Sequence, residues 1–296
     1  ESRRDVILES AYKWESYCKV VDGKVALISL LGLTREQRVD IMKETLGRVR
    51  SFQMSLPDIC DPDIAPLLRS RITKPTFIEI SKEGFSHANL HCLSVFESAP
   101  VWLLINANFN DGLIKKMPRL KKIQGLVIQG SGDLTITDSG LKALATLTSL
   151  RYLGLPYQKL TDAGLAALKL LVNLRTLDLS YNWELKGKRF TDLGALPKLR
   201  VLNLRGSIHA SKEFAALGSL THLEELDVRD EGPFSRGDYE PAQMKHLAKL
   251  KQLRRLVIGG GARFSDPKSL SVLGKLPKLR KLVYFSEFGD NHLKEL

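Results

Sequence analysis

One short leucine pattern recurs along most of the chain and constrains its fold more than any other feature. The pattern is Leu-x-x-Leu-x-x-Leu-x-Leu, and residues 147–155 and 171–179 are its clearest copies. Further copies begin at residues 120, 196, 220, 250 and 276, and degenerate copies surround residues 78–80 and 103–105. The third leucine position, which would anchor a strand, falls at residues 78, 103, 126, 153, 177, 202, 226, 256 and 282.

The spacing of these anchors indicates a solenoid. Successive anchors are 23 to 30 residues apart, and all but the longest step fall within about 20–29 residues, the period of strand-plus-helix repeats. A single unit of this size cannot bury its own apolar face, so neighbouring units must stack to form a continuous core. The sequence therefore predicts an α/β solenoid of stacked strand-plus-helix units.

This pattern resembles the leucine-rich-repeat superfamily over residues 72–296, in about nine repeats. The resemblance implies a curved parallel sheet with helices on the convex side. A second motif, Thr-Asp-x-Gly-Leu at residues 137–141 and 161–165, is similar to the cysteine-containing, ribonuclease-inhibitor-like subclass, in which a convex helix follows. The Thr or Asp can cap that helix by accepting a backbone N–H. The chain lacks the cysteines of that subclass, and its post-strand asparagine is retained at Asn108 and Asn182 but replaced by Gln158, Ser207, Gly261 and Glu287.

The N-terminal part does not show the repeat, and we predict a helical cap over residues 1–71. Thr34 and Gln37 have the spacing of a capping box. Apolar residues then recur at helical spacing through residues 39–49, and residues 3–20 predict a second helix. The alternative is a separate adaptor domain such as an F-box. At the other end, residues 288–296 predict the start of another convex helix, with further chain or a partner covering the last repeat.

Composition bears on partners and compartment. The formal net charge is +12 and the isoelectric point about 9.6, which favours anionic partners. The three cysteines, Cys18, Cys60 and Cys92, argue by odd number and wide spacing against a disulfide framework. They favour an intracellular location, with a mitochondrion as one organelle that fits. No apolar run is long enough to cross a bilayer.

A search for catalytic or metal-binding motifs finds none. His87 and His91 have i,i+4 spacing and Cys92 is adjacent, but a zinc site needs three or four ligands. The acidic residues around Cys60 lack the spacing of a calcium loop, and the glycines at 259–261 lack the Lys-Ser/Thr of a phosphate loop. We therefore predict a non-enzymatic protein with no metal, no cofactor and no small-molecule substrate.

Three binding surfaces are predicted. The first is the concave face, because strand side chains alternate and those between the buried leucines point outward. Its candidates are Tyr152, Asp178, Asn203, Arg205, Glu225, Asp227, Arg229, Arg255 and Phe285. Trp102 and Leu104 take the same place nearer the N-terminus.

The second surface is a basic ridge that occupies one slot in five repeats. It consists of Arg151, Arg175, Arg200, Arg254 and Arg280. Equivalent atoms of stacked repeats lie about 5 Å apart, so the ridge could neutralise a row of phosphates. The third surface is the insertion at residues 231–243, where Phe234, Arg236 and Tyr239 are the contact-type residues.

These features favour a macromolecule-binding scaffold, an accessory subunit of a large multi-subunit assembly. Its partners would be proteins, with RNA contacted through the basic ridge in an assembly such as an organellar ribosome. Two alternatives stay open: a substrate receptor of a ubiquitin ligase, and a pathogen effector that binds host proteins.

Overall fold

The structure is a computed structural model of the chain. It describes residues 20–21, 24–25, 28–31, 33–46, 51–81, 87–107, 109–117, 119–130, 135–207, 214–231, 241–260 and 266–285. Several predictions lie outside these residues: the helices at residues 3–20 and 288–296, the positions Asn108, Gly261 and Glu287, and the insertion residues Phe234, Arg236 and Tyr239.

The core of the fold is an eleven-stranded parallel sheet in which the described strands follow one another in chain order. Its strands are β3 (Ile28–Ser29), β4 (Ser51–Met54), β5 (Thr76–Ile80), β6 (Val101–Ile105), β7 (Gly125–Ile128), β8 (Tyr152–Gly154), β9 (Thr176–Asp178), β10 (Val201–Asn203), β11 (Glu225–Asp227), β12 (Arg255–Gly259) and β13 (Lys281–Phe285). A separate antiparallel pair, β1 (Val20–Val21) and β2 (Lys24–Val25), precedes it. One strand per repeat, each paired with the next, makes a solenoid.

The predicted strand anchors are confirmed as register partners. Ile78 lies opposite Leu103, and the pairing continues through all the later anchors to Leu256 opposite Leu282. Leu177, Leu202 and Leu226 are at most 1% exposed, so the anchors form the continuous core beneath the sheet. The 30-residue step is accommodated without loss of register, since Leu226 still pairs with Leu256.

The segment predicted as a helical cap, residues 1–71, contains strands as well as helices where the structure describes it. Strands β3 and β4 extend the main sheet, with Ile28 opposite Phe52 and Phe52 opposite Ile78. These partners are 24 and 26 residues apart, the same period as the later repeats. The prediction missed them because Phe and Met fill core positions where the pattern requires leucine.

The helices lie on the other side of the core from the strands. The α-helices are α1 (Arg35–Thr45), α2 (Leu56–Cys60), α3 (Ile64–Arg71), α4 (Asp111–Lys116), α5 (Asp138–Leu144), α6 (Phe214–Leu217) and α7 (Pro241–Met244). The remaining crossovers are 3-10 helices at His87–Phe96, Asp162–Leu170, Phe190–Ala195, Leu247–Lys249, Pro267–Ser269 and Leu273–Lys275. The capping box of Thr34 and Gln37 is confirmed at the start of α1, as are the Thr137 and Thr161 caps.

The Thr-Asp-x-Gly motif links one repeat to the next. The backbone N–H and hydroxyl of Thr161 donate to the Asp138 carboxylate at 2.9 and 2.6 Å. Thr137 makes the same pair of bonds to Asp111, at 2.8 and 2.6 Å. A Cβ at Gly164 would lie 2.3 Å from Asp138 Oδ1, so the glycine makes room for the carboxylate of the preceding repeat. The motif is thus a stacking device as well as a helix cap.

We expect Gly164→Ala to lower the free energy of unfolding by about 1–3 kcal/mol, because the new methyl group must displace a hydrogen-bonded carboxylate. Urea unfolding followed by circular dichroism measures the change. The matched control is Gly274→Ala, where a new Cβ would have no atom within 4 Å and no loss is expected. Equal stability of the Gly164→Ala variant and the wild type would contradict the role given to this glycine.

A buried polar ladder follows the strands and replaces the incomplete asparagine series. Asn182 is fully buried and donates to the carbonyls of Leu155 and Leu179 at 2.8 and 2.9 Å. Gln158 takes the equivalent place, donating to Ile128 O at 2.9 Å and accepting from Ile136 N at 2.7 Å. The ladder continues at Ser207, whose hydroxyl accepts from Asn182 N at 2.8 Å. Glutamine and serine therefore satisfy the backbone groups that asparagine would.

A disulfide joins Cys60, at the end of α2, to Cys92 in the 3-10 helix His87–Phe96, with Cα atoms 5.1 Å apart. The argument from cysteine number and spacing against a disulfide is therefore wrong. It failed because stacking brings together side chains from adjacent repeats, and these two are 32 residues apart. Disulfides persist under oxidising conditions, so the cysteines no longer favour a reducing compartment.

Candidate binding surfaces

The concave face is less open than the alternation of side chains predicted. Tyr152, Asp178 and Asn203 are only 4, 6 and 6% exposed. Asp178 Oδ1 accepts from Ser180 N at 2.9 Å, and Asn203 Oδ1 accepts from Arg205 N at 3.1 Å. These side chains close Asx-type turns at the strand ends and so have a structural role.

Aromatic side chains cover the concave face around β6 to β8. The indole of Trp102 lies against Gly125, where a Cβ would be 2.1 Å from the ring. Tyr152 packs beside it, with ring centroids 5.8 Å apart. Burial, together with the charge of Asp178, raises the pKa of the Tyr152 hydroxyl. Leu104 is also buried, at 5% exposed, so this part of the face offers little open surface.

A buried carboxylate lies nearer the N-terminal end of the sheet. Glu79 on β5 is 5% exposed and accepts from Asn106 Nδ2 at 2.8 Å and from Gln53 Nε2 at 3.1 Å. Burial raises the pKa of Glu79, and the two amide donors oppose that shift. The carboxylate is held by neutral amides in the part of the chain that the structure describes, and we assign it no role beyond joining three repeats.

Aromatic and charged side chains gather at and beyond the strand ends of β8 to β13, in what we call the strand-end strip: Tyr157, Tyr181, Arg205, Arg229, Glu231 and Phe285. The Tyr157 and Tyr181 rings stack with centroids 4.3 Å apart, and the Arg205 guanidinium lies 5.3 Å from the Tyr181 centroid. The Arg229 guanidinium lies 4.6 Å from the Phe285 centroid. Aromatic and arginine side chains therefore lie side by side along the strip.

Glu231 holds the middle of the strip together. Its Oε2 accepts from the Tyr181 hydroxyl at 2.8 Å and from Arg205 Nε at 2.6 Å. Arg229 NH1 lies 3.5 Å from Glu231 Oε1, and Asp227 binds the other side of the same guanidinium. Burial and the hydrogen bond to Glu231 raise the pKa of the Tyr181 hydroxyl. These side chains are fixed in advance of any contact.

The two tyrosines of the strip have a costly backbone conformation. Tyr157 and Tyr181 both have φ of 57°, whereas Gly206 and Gly260 occupy the same place in later repeats with φ of 65° and 87°. Left-handed backbone costs a residue with a Cβ about 1–2 kcal/mol. Two adjacent repeats bear this conformational cost at a position where later repeats have glycine. Strained backbone of this kind is typical of a functional surface.

An open groove of about 460 Å³ lies beside the stacked tyrosines. It is lined by Gln129, Gly130, Thr135, Tyr157, Gln158, Lys159, Tyr181, Trp183 and Glu184. Tyr157 and Trp183 are 40 and 44% exposed, so their rings can contact another molecule. Sequence reasoning missed Tyr157, Tyr181 and Trp183, although the first two stand directly before Gln158 and Asn182 at equivalent places in consecutive repeats, a signal it could have used.

The five arginines of the basic ridge occupy equivalent positions in the structure, but Glu224 interrupts their row. Arg151, Arg175 and Arg280 are exposed, and no carboxylate pairs with them in the described part of the chain. Glu224 occupies the same slot in its own repeat. It lies 3.7 Å from Arg200 and 3.9 Å from Arg254, which it partly neutralises. Arg255 and Glu225, on the concave side of these arginines, are paired at 3.7 Å.

The described cysteine and aspartate side chains of the motifs considered for chemistry make structural contacts. Within the described residues, no group of three or more His, Cys, Asp or Glu side chains could hold a metal ion. Cys92 is bonded to Cys60, and Asp58, Asp61 and Asp63 bind Arg38 and Arg35 instead of a cation. The helices of the described segments are all too short or too polar to span a bilayer.

Comparisons identify structural relatives. No family model matches the sequence, and no curated protein matches it. Among solved structures, an internalin (InlF) from Listeria monocytogenes matches with 17% identity and a TM-score of 0.49, over 84% of this chain and 71% of that chain. TLR13, in a complex with ssRNA13, matches with 19% identity and a TM-score of 0.56, over 92% of this chain. This chain spans 38% of the TLR13 chain.

Proposed function

We propose that the chain, which is a leucine-rich-repeat solenoid, is a non-enzymatic scaffold that binds a protein partner through the strand-end strip. The observation that carries the proposal is the pair of stacked tyrosines held in left-handed backbone beside fixed arginines. Tyrosine, tryptophan and arginine supply most of the energy at protein interfaces. Fixing them before contact reduces the ordering cost of association.

A wider role follows from this contact. A scaffold with one organised strip is suited to be an accessory subunit of a larger assembly, and the net charge of +12 supports an assembly that contains RNA. An organellar ribosome is one such assembly. The binding of ssRNA13 named for the structural relative TLR13 is compatible with this version but says nothing about the surface used here.

The test is co-purification from native cells with mass spectrometry, comparing Tyr157→Gly/Tyr181→Gly with the wild type. Glycine keeps the left-handed backbone, so the double variant removes the rings without straining the turns. We expect recovery of the partner to fall at least about ten-fold, as for the loss of about 1.4 kcal/mol or more.

The matched control is Leu170→Ala, which removes an exposed aliphatic side chain, 51% exposed, from the end of the convex 3-10 helix Asp162–Leu170. This variant should retain the partner. If the tyrosine variant retained the partner and the control variant lost it, the interface would lie on the convex side and the proposal would be refuted. Recovery of a ligase adaptor or of host proteins would instead favour the receptor or effector alternatives.

A further inference from the structure

We propose that the strand-start edge of the sheet binds the phosphate backbone of a double-stranded nucleic acid, without reading its sequence. We define this edge by the loops that lead into β7 to β13. Its cations are Lys121, Lys122, Arg151, Arg175, Lys198, Arg200, Lys251, Arg254, Lys278 and Arg280. The surface lies at the opposite ends of the strands from the strand-end strip, so it goes beyond the protein-binding role proposed above.

The cations of this edge are positioned by the backbone ladder of the solenoid. Arg151 N donates to Gln124 O at 2.7 Å, Arg175 N to Arg151 O at 2.8 Å, and Arg200 N to Arg175 O at 2.8 Å. The same bonds continue through Glu224 and Arg254 to Arg280. Equivalent side chains are therefore spaced by one strand, about 4.8 Å. Over the six steps from β7 to β13 the row extends about 29 Å, apart from its curvature.

Most of these charges are held without being neutralised. Lys198 Nζ donates to Asn173 Oδ1 at 2.7 Å, and Lys278 Nζ donates to Gln252 Oε1 at 2.6 Å. Each lysine is thus oriented along the edge by a neutral amide from the preceding repeat. An ammonium group has three donors, so it can still bind an anion.

On the strand-end strip, by contrast, the arginines are neutralised by carboxylates. Arg205 and Arg229 are both paired with carboxylates there, at 2.5 and 2.6 Å. On the strand-start edge, the carboxylates that pair with the described cations are Glu97, 3.0 Å from Lys121, and the more distant Glu224. Arg205 and Arg229 of the strip are therefore neutralised, whereas seven of the ten named cations of the strand-start edge have no carboxylate partner among the described residues.

The composition of the edge favours a duplex over other anionic partners. In the described loops at residues 121–124, 148–151, 172–175, 197–200, 221–224, 251–254 and 277–280 there is no Phe, Tyr or Trp. Single-stranded nucleic acids are bound by stacking bases on aromatic side chains. Protein interfaces need aromatic or apolar anchors at their centre. The strand-start edge has one exposed aliphatic side chain, Val172, among its cations and no aromatic side chain in these loops. That composition is suited to contacts with phosphates.

The test is fluorescence anisotropy with a labelled duplex of about 20 base pairs, as DNA and as RNA, between about 50 and 200 mM NaCl. We expect log K to fall with log salt with a slope of about −4 to −6, because five to seven phosphates are neutralised. The variant Arg151→Gln/Arg175→Gln/Arg280→Gln removes three cations that pair with no carboxylate of the described segments. It should reduce the magnitude of the slope by about three and weaken binding at least about ten-fold.

The control removes the same charge from the opposite side. Lys159→Gln/Lys186→Gln/Lys188→Gln takes three exposed cations from the loops that follow the strands, and should change the slope by less than one. Equal weakening by both triple variants would mean attraction by net charge alone and would overturn the proposal. So would tighter binding of a single strand or of polyglutamate than of either duplex, or no binding at the lowest salt.

Duplex binding at the strand-start edge and partner binding at the strand-end strip can be tested separately. Loss of duplex binding in the arginine variant leaves partner recovery through Tyr157 and Tyr181 unchanged, and the reverse also holds. We expect both triple variants to fold, because every substituted side chain is exposed. Circular dichroism checks this.

Discussion

Replacing Asn182 with alanine is expected to lower the free energy of unfolding by about 4 kcal/mol. The side chain donates to three carbonyls, of Leu155, Leu179 and Ser180, and accepts from Leu160 N. Alanine leaves Leu155 O and Leu160 N in the interior without partners, at about 1–3 kcal/mol for each group that water does not reach. The carbonyls of Leu179 and Ser180 keep their bonds from the Ser207 hydroxyl and from Tyr157 N. Urea unfolding of the variant and the wild type measures the difference.

Asn173→Ala is the matched control for this prediction. Its amide donates to Thr148 O at 3.1 Å at the surface, where water can replace it, and we expect a loss below about 1 kcal/mol. If the two asparagine variants were equally stable, the buried polar ladder would not hold adjacent repeats together.

Removing the disulfide is expected to have the next largest effect. Cys60→Ser/Cys92→Ser opens a cross-link over 32 residues, and the entropy of the unfolded chain then favours unfolding by about 3–4 kcal/mol. The loss should be greatest in the N-terminal repeats, because the cross-link joins α2 to the 3-10 helix His87–Phe96. Unfolding midpoints with and without reductant measure the effect in the wild type.

Cys18→Ser is the control, since it leaves the Cys60–Cys92 pair intact and should respond to reductant as the wild type does. The double serine variant should not respond at all. A wild-type protein whose midpoint is unchanged by reductant would show that these cysteines are not bonded in solution.

The repeat was predictable because it is specified by the spacing of leucines along the sequence. Leucines at fixed offsets specify which residues pair, and the register from Ile78 to Leu282 follows them without a shift. The repeats around Phe52 and Ile28 were not predictable in this way, since other apolar residues fill the same core positions. The disulfide was missed for a related reason: contact between Cys60 and Cys92 depends on stacking, which spacing along the chain does not reveal.

The candidate surfaces were only partly predictable. Alternation along a strand predicts which face a side chain is on, but the burial of Tyr152 depends on Trp102 from two repeats earlier. The interruption of the basic ridge by Glu224 was present in the aligned repeats, but its pairing with arginines on both sides required coordinates. The strip was missed because its tyrosines follow the strand, outside the leucine pattern.

The most direct test of the proposed protein interface is lysine cross-linking with mass spectrometry on the native complex. We predict cross-links from the protein partner to Lys159, Lys186 and Lys188, which lie in loops that follow the strands, with Lys159 beside the tyrosine groove. Lys198, Lys251 and Lys278 on the strand-start edge should give few such cross-links. Protein cross-links concentrated on the strand-start lysines, or on Lys142 and Lys169 of the convex helices, would contradict the assignment of the partner to the strand-end strip.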